Sequence, residues 1–168
     1  MNRKKRILVA VDGSKDSMRA TNYGANIIEG KRDFTICLLH VLGPIPPELT
    51  AFGGSEYPRR EEELEKELEN KRNQWIERSK AKALPLLKKA KFIFRKSRLL
   101  AKAIETEFWI DSNREGLTAD IIDAGRLKKC NTVVVGGKSF SWLKEILQHH
   151  VADELVRHAH NLTIWVVE

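Results

Sequence analysis

The sequence predicts an α/β protein whose core is an open, mostly parallel sheet of five strands over one domain, residues 1–168. Two observations carry this. Near-continuous apolar runs occur at Ile7-Leu8-Val9-Ala10-Val11 and Phe34-Thr35-Ile36-Cys37-Leu38-Leu39-His40-Val41. Runs without polar alternation suit strands covered on both faces, as in parallel sheets. Segments with helical spacing separate the strands, and strand–helix alternation is the signature of an α/β fold.

In order along the chain, strand 7–11 comes first. A helix follows, with Ser14 as N-cap, Met18, Ala25, Ile27 and Ile28 on its pattern, and Gly30 as its stop. Strand 34–41 closes a βαβ unit. Residues 43–58 are rich in Pro and Gly and read as a loop. A long helix comes next, with Leu64, Leu68, Trp75, Ser79 and Ala83 on one face and Pro85 expected to kink or interrupt it. Residues 91–103 read as a short continuing helix or a basic loop. Residues 104–110 alternate like an edge strand with one partly wet face. Residues 117–128 read as a helix with Ile121, Ile122 and Leu127 inward. Strand 132–135, helix 151–158 and strand 162–167 complete the pattern.

A chain of 168 residues is long enough to bury a sizeable core, and no apolar run approaches a membrane span. The basic N-terminus precedes an apolar run too short for a signal peptide, so a cytoplasmic setting is expected. Cys37 and Cys130 have neither metal nor redox spacing. The net charge of +7 is unevenly spread. Residues 78–102 hold Arg78, Lys80, Lys82, Lys88, Lys89, Lys91, Arg95, Lys96, Arg98 and Lys102 and no acid, while residues 61–69 are strongly acidic. This suits a solvated helix aligned with its dipole. It also suits a docking face for an anionic partner, nucleic acid or lipid surface.

Two places stand out chemically. The first strand ends in Val11-Asp12-Gly13-Ser14, and ligands of open α/β sheets bind at the carboxyl ends of strands. Asp12 could accept a hydrogen bond from an adenine or ribose group, and it could equally hold the turn into the next helix. Near the other end, Thr132-Val133-Val134-Val135-Gly136-Gly137-Lys138-Ser139 reads as a buried strand ending in glycine, then a loop that reaches a helix at Val151. Such junctions cradle phosphates through backbone N–H groups.

The order and spacing of four stretches resemble the universal stress protein family. They are residues 7–14, Leu38-Leu39-His40-Val41, Val134-Val135-Gly136, and residues 151–167, in which Arg157-His158-Ala159 resembles the family's usual helix ending. The resemblance implies a five-stranded parallel sheet and a homodimer formed by the last strand, which here opens at Leu162 and closes at Val167. Against it, Glu168 and the chain end could blunt that edge in a monomer. The ATP-binding branch of the family is similar in carrying Gly, two residues, Gly, nine residues, then Gly-Ser or Gly-Thr. On this chain the positions fall at Gly136, Ser139 and His149-His150, so one of three glycines is kept. Side chains there intrude where N–H groups must approach phosphates. Asp12 and Val41 match the family's base-contacting positions. The phosphate half is therefore degraded and the adenine half retained. Three outcomes stay open: no nucleotide, a shorter one such as AMP with Lys138 or protonated His150 as its partner, or ATP in an altered pose.

The expected role is a regulatory binding module in the stress response without catalysis, with a mobile step in the Ser139 to His150 loop. The alternative is an adaptor that uses the basic stretch on nucleic acid or an anionic surface. A minor alternative is an adenylating enzyme. Asp12-Gly13-Ser14-Lys15-Asp16-Ser17 resembles the Ser-Gly-Gly-x-Asp-Ser loop of ATP pyrophosphatases, but a carboxylate at Asp12 would repel pyrophosphate. His149, His150, His158 and His160 do not converge as metal ligands, since His150 and His158 lie more than two helical turns apart. His40 reads as a packed core-edge residue. Trp75, Trp109, Trp142 and Trp165 read as packing or interface residues.

Overall fold

A computed structural model of the protein describes residues 5–50, 58–111, 116–138 and 151–168. Five parallel strands form one sheet: β1 (Lys5–Ala10), β2 (Phe34–Leu42), β3 (Ile104–Ile110), β4 (Thr132–Gly136) and β5 (Thr163–Val167), in the order β3-β2-β1-β4-β5. The central runs of β1, β2 and β4 are almost wholly apolar because helices cover both of their faces. Period-two alternation sorts the side chains. Ile7, Val9 and Val11 enter one core with helices α1 (Lys15–Ile27) and α2 (Pro58–Lys96). Leu8 and Ala10 enter the other, with α3 (Leu117–Leu127) and α4 (Val151–His158). As expected, β3 lies at a sheet edge and is only partly covered beyond Ile104.

Three expectations need adjustment. First, α2 runs unbroken through Pro85 for 39 residues. Proline removes one backbone donor and crowds the carbonyl four residues before it. Both Pro85 and Ala81 are exposed, so water can hydrate that carbonyl. Second, residues 91–103 combine the two readings given for them. Helix α2 continues to Lys96, Arg98 turns the chain at φ 66°, and a 3₁₀ turn spans Ala101–Ala103. Third, Leu127 is not inward: it is 69% exposed. The buried stripe of α3 runs Leu117, Ile121, Ala124, and Leu127 falls beside it in the last turn.

Among the described residues, no helix is long and apolar enough to cross a membrane. Both cysteines are buried and unbridged. Burial pushes the Cys37 thiol up to about 12, and it raises the Cys130 thiol as well.

Candidate functional site

The chain reverses its direction of travel across the sheet between β1 and β4. From β1 it moves to β2 on one side; from β3 it crosses back to β4 on the other. Ligands of open α/β sheets sit outside the carboxyl ends of the strands at such a switch point. Registers place the candidate residues there. Ala10 is paired with Leu39, so Asp12 stands level with Val41. Val9 and Val134 form the last pair of β1 with β4; counted on in that register, Asp12 falls opposite Gly137, one residue beyond Gly136.

The loop after β1 is tightly held. Val11 N–H still donates to Leu39 O at 2.8 Å. Asp12 Oδ1 accepts from the Ser14 N–H at 2.9 Å and from Ser14 Oγ at 2.7 Å. Ser14 Oγ in turn accepts from the Ser17 N–H at 3.0 Å, which makes Ser14 the N-cap of α1. Between them Gly13 has φ +86°, a conformation L side chains rarely adopt. Asp12 therefore fills the turn-holding role, at the position where a ligand would meet β1.

Val41 buries its side chain in the α3/α4 core and presents backbone at the end of β2. Its neighbour His40 is half-buried, with Nδ1 2.7 Å from Val11 O and its ring edge-on to Phe108. A carbonyl can only accept, so Nδ1 carries a proton. On the far side, Gly136 is buried and paired with Val167, Gly137 N–H donates to Val167 O at 2.9 Å, and Lys138 is exposed. Ser139, His149 and His150 lie outside the described residues, as does Trp142. Val151 opens α4 with its side chain in the core, so its backbone is what it offers to a site. The structure thus brings Asp12, Gly13, Ser14, Val41, Gly136 and Lys138 to one end of three adjacent strands.

Two neighbours of the site were not legible in the sequence. A Cβ on Gly137 would approach Glu168 Cγ to 3.0 Å, so the last residue lies against this glycine. Leu86 of α2 lies over Gly13, 3.5 Å from where a Cβ would stand. The β4–β5 register and the path of α2 decide both contacts. Among the described residues no three His, Cys, Asp or Glu side chains gather to hold a metal ion. His158 instead stands 3.7 Å from Glu154 on its own helix.

The universal stress protein family profile matches residues 4–167, nearly the whole chain. The chain belongs to the universal stress protein family. Solved structures agree on the fold of this family member. Universal stress protein UspA from Lactobacillus plantarum is 16% identical, with a TM-score of 0.65 and 99% of each chain covered. A universal stress protein from Archaeoglobus fulgidus, solved in complex with dAMP, is 17% identical, with a TM-score of 0.59 and 100% of each chain covered. A universal stress protein solved in complex with cAMP is 14% identical, with a TM-score of 0.61, 99% of this chain covered and 98% of that one. No curated protein matches this chain in sequence.

Proposed function

We propose that this universal stress protein is a regulatory module that binds an adenosine monophosphate-type nucleotide in preference to ATP, and that acts by binding rather than turnover. The carrying observation is the alignment of Asp12, Val41 and Gly137 across three adjacent strand ends at the switch point. The retained half of that crevice suits a base. The glycine set suits few phosphates: Ser139 and His149-His150 replace glycine positions of the ATP-binding pattern, leaving Gly136 and the exposed Lys138. The structural relatives solved with cAMP and dAMP support a monophosphate ligand. A setting that keeps the buried thiols Cys37 and Cys130 reduced, such as the cytoplasm, is part of this reading.

The test is calorimetric titration of AMP, cAMP, dAMP and ATP against the unchanged protein and Asp12→Asn. Asparagine keeps an acceptor oxygen for Ser14 and removes the charge. The expected result is a monophosphate bound at least about tenfold more tightly than ATP, with about tenfold lost in the variant, or roughly 1.4 kcal/mol. Equal affinity for ATP, or no binding by any of the four, sinks this reading.

The same proposal includes a homodimer through β5. Its outer edge has no strand partner among the described residues, Val166 on it is 39% exposed, and Trp165 meets Tyr23 edge-on. An unpaired edge is a template for a second chain. Val166→Lys should lower the mass seen in sedimentation at high salt; an unchanged mass would rule out this pairing.

A further inference from the structure

Helix α2 is longer than the surface it covers. Ala83, Leu87, Ala90 and Phe94, spaced at i, i+4, i+7 and i+11, anchor its C-terminal half to the core. The first turns of its N-terminal half are solvated: every residue from 59 to 67 is exposed, and only further on does Arg72 donate to Leu49 O. Glu61, Glu62, Glu63, Glu65, Glu67 and Glu69 lie in this half, against one lysine, Lys66, between them. Leu64, 37% exposed, and Leu68 stand one turn apart on a stripe that continues to Trp75.

Beyond the anchor, α1 and α2 leave an open groove of about 420 Å³, lined by Asn22, Ala25, Lys89, Phe92, Ile93 and Lys96. Phe92 is 58% exposed, and Lys96 Nζ stands 4.7 Å from the centre of its ring. The groove thus has an apolar floor of Ala25, Phe92 and Ile93 within a polar rim that carries Lys89 and Lys96. Its acidic member, Glu29, lies at the end of α1, where Gly30 N–H donates to Ser97 O.

We infer that the acidic half of α2 docks into the α1/α2 groove of a second copy, reciprocally, with the two α2 helices antiparallel about a two-fold axis. Length fits: residues 58–77 and 78–96 are each roughly 30 Å long at 1.5 Å per residue. Charge fits as well. The glutamates of 61–69 come over Lys89 and Lys96 of the mate, while Arg59 and Arg60 reach the groove end that holds Glu29. Leu64 and Leu68 then cover Phe92 and Ile93. A nucleic acid or an anionic membrane would use the basic half alone and leave the acidic half and its leucines unpartnered; a second copy uses both. One helix carrying both signs is self-complementary, as an isologous interface requires.

The test uses the full chain and two charge-reversed variants, E61K/E65K/E67K on the stalk and K89E/K96E on the groove. Circular dichroism and urea midpoints establish that both fold. In sedimentation velocity at low salt, about 0.05 M, the unchanged protein should show about twice the mass of either variant. An equimolar mixture of the two variants should restore it, because each stalk then meets a groove of opposite sign. About 0.5 M salt should halve the mass of the unchanged protein, whereas β5 pairing, being apolar, should persist. Zero-length carboxylate–amine crosslinking of mixed ¹⁵N and ¹⁴N protein should join residues 61–69 of one copy to residues 88–96 of the other. Unchanged mass in both variants, a mixture that fails to recover, or crosslinks confined within one copy would overturn the inference. So would binding of single-stranded DNA or anionic vesicles without self-association.

Discussion

His40 Nδ1 lies 2.7 Å from the carbonyl oxygen of Val11, joining β2 to β1 one residue before Asp12. The bond fixes a proton on Nδ1 and ties the two strands at the rim of the candidate crevice. Replacing His40 by Leu should remove a donor from the carbonyl of the buried Val11 and cost about 1–3 kcal/mol in urea unfolding. Asn, whose amide nitrogen stands near the Nδ1 position, should keep most of the stability. Equal losses for Leu and Asn would mean that packing against Phe108, not the hydrogen bond, is what His40 contributes.

Gly13→Ala should destabilise the protein by about 1–2 kcal/mol. The cause is the backbone, at φ +86°, and not a clash, because the nearest atom to the new Cβ would be Leu86 Cδ2 at 3.5 Å. Gly13→Asn tolerates positive φ better and should lose less. Matching losses for the two variants would count against a conformational cause.

Much of the fold was legible because both faces of the sheet are buried. Residues 7–11 and 34–41 could be read as strands without knowing their neighbours, and Ser14 could be read as a cap because capping is local chemistry. Asp12, Val41 and Gly136 were legible as a group through their resemblance to a family, and the registers then set Asp12 level with Val41 and Gly137. What depended on tertiary register was not legible. No local pattern places Glu168 against Gly137, Leu86 over Gly13, or His40 opposite Val11. Leu127 misled because an apolar residue in a last turn can fall beside the buried stripe. Pro85 did not interrupt the helix, because on the exposed side of α2 water can hydrate the carbonyl it crowds.

That cost makes a second stability test. Pro85 sits inside α2 without a backbone donor, and on an exposed face where no packing depends on its ring. Pro85→Ala should therefore stabilise the protein, by up to about 3 kcal/mol, with gain concentrated in slower amide exchange along α2. A loss of stability would show that the ring supports a bend the helix needs to reach Leu87 and Phe94.

The buried thiol of Cys37 gives a pH-dependent test. Burial is the largest cause of its rise from the ordinary 9.0 to about 12, with the neighbouring Cys130 next. A group whose folded value is raised contributes stability that is fully present below the unfolded value. That contribution is lost as pH rises toward the folded one, because only the unfolded chain can release the proton. The window is therefore pH 9 to 12. Lysine and tyrosine side chains also titrate there, so the informative quantity is the stability difference between the unchanged protein and Cys37→Ala. That difference should be constant up to about pH 8 and should shrink by roughly 1.4 kcal/mol at about pH 10, the linkage expected for one proton one unit above the unfolded value. In the same range iodoacetamide should leave Cys37 unlabelled in the native protein and modify it once urea unfolds the chain. A difference that stays flat to pH 10, together with rapid native-state labelling, would place Cys37 in contact with water, and β2 would then not be covered on both faces.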